Sequence, residues 1–158
     1  MLVGLWILEA CFTPAGRVHA PVGVEIVDTA RPDTQRNLLL VVVDDLGVDR
    51  LPSYGATEPE LPSTPTLDRL MDEGVTFEQT WSEPLCSPSR ASMLTGQHGQ
   101  RYGLGTAVRY ADTVDLPLSA ETLAEALPDH DSAFIGKWHL TAGPEGLTAP
   151  TDQGFDHW

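Results

Sequence analysis

The chain has 158 residues, of which 41% are hydrophobic and 20% are charged, a composition typical of a globular domain rather than a disordered segment. Nine Lys and Arg residues against 23 Asp and Glu residues give a formal net charge of −14. Because so acidic a surface repels phosphate backbones and anionic lipid headgroups, nucleic acid and membrane surfaces are unfavourable partners. No stretch of the sequence approaches the roughly 20 apolar residues of a membrane-spanning helix.

Residues 1–36 are predicted to be a leader or linker, because the part that follows Cys11 is rich in proline and lacks hydrophobic periodicity. Residues 2–8 form a short apolar run just before Cys11, which resembles a worn bacterial lipoprotein signal with that cysteine as the lipidated residue. Glu9 does not fit such a signal, and no basic residue precedes the run. A ragged or misassigned start of the sequence is therefore an equally good explanation of this segment. We expect export, whether periplasmic, lipoprotein-anchored or secreted.

Ordered structure is predicted for residues 37–158. Residues 37–43 consist of one polar residue and six apolar residues, a pattern typical of a central strand in a parallel sheet covered by helices. Residues 51–63 are broken by proline and glycine and therefore predict a loop.

Two helices are predicted in the middle of the chain. Thr64 is expected to cap the first helix, which ends at Gly74 in a left-handed exit. Residues 75–80 alternate in polarity and predict a strand. A short second helix is expected to follow Pro88 and to end at about Thr95.

The last predicted elements are a helix over residues 118–127, capped by Ser119, and a short buried strand over residues 132–135. Strands that alternate with helices indicate a layered α/β domain with a mostly parallel sheet. In such folds, ligands bind beyond the carboxyl ends of the strands.

Asp44 and Asp45 follow the first predicted strand. Adjacent carboxylates repel each other, so at a strand end they need a cation or several hydrogen-bond donors. Oxygen ligands suit a hard divalent ion such as Ca²⁺ or Mg²⁺, although two acidic residues at a strand end are more often part of a solvated loop.

Cys86 lies just before the second predicted helix, at its N-terminal mouth, and Arg90 lies one turn further on. Unpaired N–H groups at a helix N-terminus favour an anion there, whereas a lone cysteine is more often a buried and inert thiol. A thiolate phosphatase loop would separate Cys and Arg by five residues. Only three intervene here, so that class is excluded.

Residues 86–96 carry the pattern Cys-x-Pro-Ser-Arg-x-x-x-Leu-Thr-Gly, which resembles the principal signature of the sulfatase family. Residues 136–139, Gly-Lys-Trp-His, resemble the end of the second signature of that family. The acidic pair at residues 44–45 matches its first pair of metal ligands, and the resemblance covers roughly residues 37–158 in family order. Asp129 and the residue after it depart from the usual start of the second signature, which alters the turn before Lys137.

The resemblance implies a formylglycine-dependent hydrolase. In this family a maturation enzyme oxidises the cysteine to formylglycine, and the aldehyde hydrates to a geminal diol. One hydroxyl attacks the sulfur of a sulfate ester, and the second then releases sulfate from the sulfated enzyme. The expected partners are therefore a small-molecule or carbohydrate sulfate ester and the maturation enzyme.

The roles of individual residues are also carried over from the resemblance. Cys86 would be the precursor of the nucleophile, and Arg90 would hydrogen-bond the diol. Lys137 would hold sulfate oxygens, and His139 would act as general base. Asp44 and Asp45, together with the group derived from Cys86, would ligate Ca²⁺ or Mg²⁺. His98 lies in the loop beyond the first signature and is a weaker candidate.

The resemblance further implies an alkaline-phosphatase-like α/β/α sandwich whose N-terminal portion is present here. Relatives carry a second pair of metal ligands and further catalytic residues downstream, so the chain by itself is expected to be weakly active or inactive. Two alternatives stay open. One is a phosphodiester or phosphonate monoester hydrolase of the same superfamily, and the other is a non-catalytic remnant of the fold. The mass of the peptide that contains Cys86 separates both enzymes from the remnant.

Overall fold

The structure is a computed structural model, and it describes residues 6–8 and 37–158. The chain falls into two compact units that divide between Trp81 and Ser82. The predicted leader at residues 1–36 and the lipidation of Cys11 lie outside the described residues, apart from the segment at residues 6–8. Within the described part of the chain, no helix has the length and apolar character needed to cross a bilayer.

The first unit contains a two-stranded antiparallel sheet in which β1 (Trp6–Leu8) pairs with β2 (Leu40–Val42). The position of β2 confirms the strand predicted there, but the expected burial between parallel neighbours is wrong. Val41 and Val42 are 42% and 37% exposed, and β1 is the strand that pairs with β2 among the described residues. A strand that is apolar on both faces is buried only when other elements cover both faces.

Helix α1 (Pro65–Glu73) confirms the first predicted helix. Pro65 occupies its first position, where a missing N–H costs nothing. The hydroxyl of Thr64, the residue before the helix, donates to Oδ1 of Asp68 over 3.1 Å. This contact ties the start of α1 to its own first turn.

The end of α1 differs from the prediction in its backbone conformation. Gly74 ends the helix, but its φ of −107° is extended, so the predicted left-handed exit is wrong. A Cβ at this position would lie 2.8 Å from the main-chain oxygen of Leu70, which explains why glycine fits there. Residues 75–80 form no strand within the described part of the chain, and Phe77 is 63% exposed.

The second unit is organised around helix α2 (Cys86–Thr95), which begins before Pro88 and therefore earlier than predicted. Gly96 ends α2 with a φ of +66°, a left-handed conformation that glycine adopts without strain. Buried apolar residues from α2 and from the segments that follow it form one core. They are Ala91, Leu94, Leu104, Val108, Leu116, Ala120, Ala124, Trp138, Leu140, Ala142, Ala149 and Phe155.

The helix predicted over residues 118–127 is wrong, because the structure has turns there. The main-chain N–H of Thr122 donates to Oε2 of Glu125 over 2.8 Å, and the N–H of Glu125 donates back to the Thr122 hydroxyl over 3.4 Å. This reciprocal cap starts a helical turn three residues later than the predicted cap at Ser119. Pro128 disfavours helical geometry just before it, so a single turn is all that fits.

The strand predicted at residues 132–135 is reduced to one parallel bridge between Ala133 and His157. The main-chain N–H of Phe134 donates to the oxygen of His157 over 2.9 Å. The predicted burial holds for the partly buried Phe134, whose ring packs edge-on against Trp138, and fails for Ile135, which is 94% exposed.

The remaining elements are short. Helix α3 (Ala149–Asp152) has a single turn, and Ala149 and Pro150 in it are buried. Turns of 3₁₀ helix lie at Val48–Arg50, Pro52–Tyr54, Gly99–Tyr102 and Pro144–Leu147. The described residues thus hold helices and one small antiparallel sheet, and the expected parallel sheet is not formed among them.

Candidate active site

Cys86 is the first residue of α2 and is partly exposed, whereas the two residues after it are buried. The turn that leads into the helix is fixed by Ser89. Its hydroxyl lies 2.9 Å from the main-chain oxygen of Glu83 and 2.8 Å from that of Leu85. The buried residues after Cys86 hold the start of α2 against the core. The cysteine side chain stays partly exposed at the positive end of the helix dipole, where an anion is favoured.

His139 meets Cys86 directly, with 3.2 Å between its Nδ1 and the cysteine Sγ. The other ring nitrogen, Nε2, lies 2.6 Å from the main-chain oxygen of Val108. Since a carbonyl oxygen can only accept, Nε2 carries the proton in this contact. In the neutral imidazole, Nδ1 is then the basic nitrogen, and it faces the cysteine.

The backbone of His139 is unusual, because its φ of +61° lies in the left-handed region. This conformation is costly for a residue with a side chain, and it persists where surrounding contacts hold it. One such contact comes from Ser87, whose hydroxyl donates to the main-chain oxygen of His139 over 2.7 Å. The strained residue therefore coincides with the proposed general base.

Arg90 connects α2 with the segment that carries Lys137. Arg90 is only 8% exposed, and its Nη1 donates a hydrogen bond to the main-chain oxygen of Lys137. Lys137 itself is exposed, and Gly136 before it has a φ of +108°, which favours glycine. The second unit thus brings Cys86 into contact with His139, and Arg90 into contact with the main chain of Lys137.

Asp44 and Asp45 belong to the first unit, where they directly follow the strand segment that ends at Val43. Both are exposed, and Asp45 has a φ of +59°, a conformation that aspartate tolerates better than most residues. Their donor set consists of carboxylate oxygens, which fit a hard divalent cation. Among the described residues, no group of three or more His, Cys, Asp or Glu side chains is arranged to hold a metal ion.

His98 does not contact the cysteine in the structure. Its Nδ1 lies 2.8 Å from Oε1 of Glu83, and Nε2 of Gln100 donates to Oε2 of the same carboxylate over 3.2 Å. Both hydrogen bonds lower the pKa of Glu83, and the one from His98 has the larger effect. Burial of the carboxylate raises the pKa, but by less. The group formed by Glu83, His98 and Gln100 joins the loop after α2 to the loop before it.

Two further residues of this site, Ser87 and Val108, were missed from the sequence. Ser87 occupies a variable position of the signature pattern, and only its complete burial at 0% exposure distinguishes it from other serines. Val108 acts through its main-chain oxygen, for which a sequence carries no signal.

A family model described as Sulfatase matches residues 36–158. Arylsulfatase A of Bos taurus is 42% identical over 123 residues, which cover 75% of this chain and 24% of that protein. N-acetylgalactosamine-6-sulfatase of Canis lupus familiaris is 37% identical over 136 residues, with 77% and 24% covered.

A third relative, arylsulfatase D of Homo sapiens, is 34% identical over an alignment 165 positions long, and the match takes in 92% of this chain and 27% of that protein. The chain therefore spans about a quarter of the length of the curated relatives it matches. Because the family model covers the whole segment that holds both signature patterns, the chain belongs to the sulfatase family.

Proposed function

We propose that the protein hydrolyses sulfate esters with a formylglycine made from Cys86 and with a divalent cation. The observation that carries this proposal is the 3.2 Å contact between Sγ of Cys86 and Nδ1 of His139, at the start of a helix with the sulfatase signature. Membership of the family supports the reaction class, and its relatives include arylsulfatases and an N-acetylgalactosamine-6-sulfatase.

The modification of Cys86 requires a maturation enzyme as a partner, which would read the Cys-x-Pro-x-Arg context at residues 86–90. When present, the hydrated aldehyde supplies two hydroxyls on one carbon, one for attack on sulfur and one for release of sulfate. The surroundings of the cysteine fit such a group, because the side chain is partly exposed and a basic ring nitrogen already lies within hydrogen-bond reach.

His139 is proposed to accept a proton at Nδ1. Since Nε2 donates its proton to the main-chain oxygen of Val108, Nδ1 presents its lone pair to the group at residue 86. Arg90 is buried beside the same segment and would offset the negative charge that develops there. Lys137 is exposed and would bind sulfate oxygens as a point charge.

The cation is proposed to be Ca²⁺ or Mg²⁺, held by Asp44, Asp45 and the group derived from Cys86. It would polarise the sulfate and neutralise charge, as divalent ions do in other ester hydrolases. The sulfatase family implies an alkaline-phosphatase-like α/β fold.

The proposed substrates are small-molecule or carbohydrate sulfate esters, and the proposed location is outside the cytoplasm. A net charge of −14 opposes the approach of any sulfate ester. The local cations at residues 90 and 137 are therefore needed to attract it, and nucleic acid is not a proposed partner.

The test uses the 158-residue chain produced together with a formylglycine-generating maturation enzyme, with Cys86→Ala as the matched control. Mass spectrometry of the peptide around residue 86 is expected to show conversion of the thiol to the aldehyde or its hydrate. Enzyme in excess over 4-nitrophenyl sulfate, in the presence of Ca²⁺, is expected to release 4-nitrophenol in a single turnover, and EDTA is expected to suppress it.

Two outcomes would count against this function. An unmodified thiol together with no release above the Cys86→Ala control would favour a non-catalytic remnant. Faster release from 4-nitrophenyl phenylphosphonate than from the sulfate would assign the site to phosphonate monoesters instead.

A further inference from the structure

Ser87 makes two hydrogen bonds of opposite direction from a completely buried position. Its hydroxyl donates to the main-chain oxygen of His139 over 2.7 Å and accepts from the main-chain N–H of Val108 over 2.9 Å. Both directions are forced, because a carbonyl oxygen can only accept and an amide N–H can only donate. With 0% exposure for Ser87 and 6% for Val108, water does not substitute for either contact.

These contacts close a ring of hydrogen bonds around the proposed general base. The imidazole Nε2 of His139 donates to the main-chain oxygen of Val108, and the N–H of Val108 donates to Ser87. Ser87 then returns to the backbone of His139. The side chain and the backbone of one residue are thus both held by the same pair of neighbours.

The ring of hydrogen bonds determines which imidazole nitrogen of His139 faces the cysteine. Because Nε2 is engaged with Val108, Nδ1 is left toward Sγ of Cys86, 3.2 Å away. The left-handed backbone of His139 needs support from outside, and the Ser87 hydroxyl provides it at the main-chain oxygen. Loss of this hydroxyl would free both the backbone and the imidazole of His139 to change conformation.

We propose that Ser87 is a positioning residue, which fixes the tautomer and the direction of His139 through this ring of hydrogen bonds. The meaning of that direction rests on the proposed function, in which Nδ1 takes a proton from the group at residue 86. Ser92 on the same helix shows that such bonding is not a general property of serines in α2. Its hydroxyl oxygen is buried and has no hydrogen-bond partner among the described residues.

The experiment reads His139 itself and needs no turnover. The 158-residue chain is produced without maturation enzyme and with ¹⁵N-labelled histidine, and long-range ¹H–¹⁵N spectra report the ring tautomer. His139 is assigned by its absence in His139→Gln. We expect the wild type to show a protonated Nε2 and an unprotonated Nδ1 at a pH where the ring is neutral.

Ser87→Ala is expected to give a mixture of both tautomers and roughly tenfold faster hydrogen exchange at the Val108 amide. Ser87→Thr keeps the hydroxyl and is expected to restore the wild-type spectrum. Ser92→Ala makes the same chemical change on the same helix and is expected to leave both readouts unchanged.

A wild-type tautomer of His139 with the proton on Nδ1 would overturn the proposal, even where Ser87→Ala does not fold. A folded Ser87→Ala variant with an unchanged ring spectrum would also overturn it and leave Ser87 a packing residue. Absence of sulfatase activity would not move either readout, so failure of the proposed function and failure of this inference are separate results.

Discussion

Arg90 and Lys137 are 47 positions apart in the chain, yet the guanidinium of the first donates to the main-chain oxygen of the second. A buried arginine is costly unless its donors are used, so this bond is part of how the second unit holds together. The same bond places the segment of Lys137 and His139 beside α2. The stability of the unit and the geometry of the candidate site therefore share one contact.

Arg90→Lys is expected to lower the free energy of unfolding by about 1–3 kcal/mol. An ammonium group is compact and strongly hydrated, and it lacks the planar fork that reaches the Lys137 oxygen. The measurement is the midpoint of urea unfolding, compared between variants whose curves have the same slope m. Arg101→Lys, at an exposed arginine of the same unit, is the control and is expected to stay within about 0.5 kcal/mol of the wild type.

His139→Asn and His139→Ala are expected to differ in stability and to agree in activity. Both remove the imidazole, so in the matured protein each is expected to slow the proposed hydrolysis of sulfate esters by about 10²–10⁴-fold. Asparagine tolerates the left-handed backbone of this position better than alanine does, so His139→Asn is expected to be more stable by about 1 kcal/mol. Equal stabilities in thermal unfolding would show that the backbone of residue 139 relaxes.

The first two helices could be predicted from the sequence because their signals are local. Pro65 marks the first position of α1, and the signature pattern marks α2. The helix expected at residues 118–127 failed because apolar spacing cannot show that Thr122 caps a later turn only six residues before Pro128.

The candidate site could be predicted only in its reactive side chains. Cys86 and His139 come from the signature patterns, and the structure places them in contact. The contacts that hold His139 involve main-chain atoms of Val108 and of His139 itself, and backbone groups leave no trace in a residue pattern. The acidic pair at residues 44–45 stays a prediction as a cation site.

The contact between Glu83 and His98 predicts a dependence of stability on pH. The hydrogen bonds from His98 and Gln100 lower the pKa of Glu83 below its ordinary value of 4.5. A lowered folded-state pKa contributes stability that is complete above the unfolded value and is lost as the pH falls through the folded value. We therefore expect this contribution to disappear on acidification below about pH 4.5.

Glu83→Gln removes the titrating group. Its difference in unfolding free energy from the wild type is expected to be largest at neutral pH and to shrink as the pH falls. Glu121→Gln, at an exposed glutamate of the same unit, is the control for general effects of lost charge. A difference that stays constant from neutral to acidic pH would mean that the carboxylate of Glu83 does not contribute through its charge.

Gly99 lies so close to α2 that a larger residue is expected to disturb the start of the helix. A Cβ at this position would lie 2.7 Å from Cα of Pro88 and 2.8 Å from the main-chain oxygen of Leu104. Both are backbone atoms, which cannot rotate away as the end of a flexible side chain can. Gly99→Ala is therefore expected to destabilise the protein by about 1–3 kcal/mol.

Gly105→Ala is the matched control, because its Cβ would meet Cγ of Gln100 at an ordinary 3.8 Å. This variant is expected to keep the stability of the wild type or to raise it slightly. Since Pro88 lies two residues after Cys86, Gly99→Ala is also expected to change the rate at which iodoacetamide alkylates the unoxidised thiol. Unchanged alkylation in a destabilised variant would show that the strain is absorbed on the Leu104 side and does not reach the cysteine.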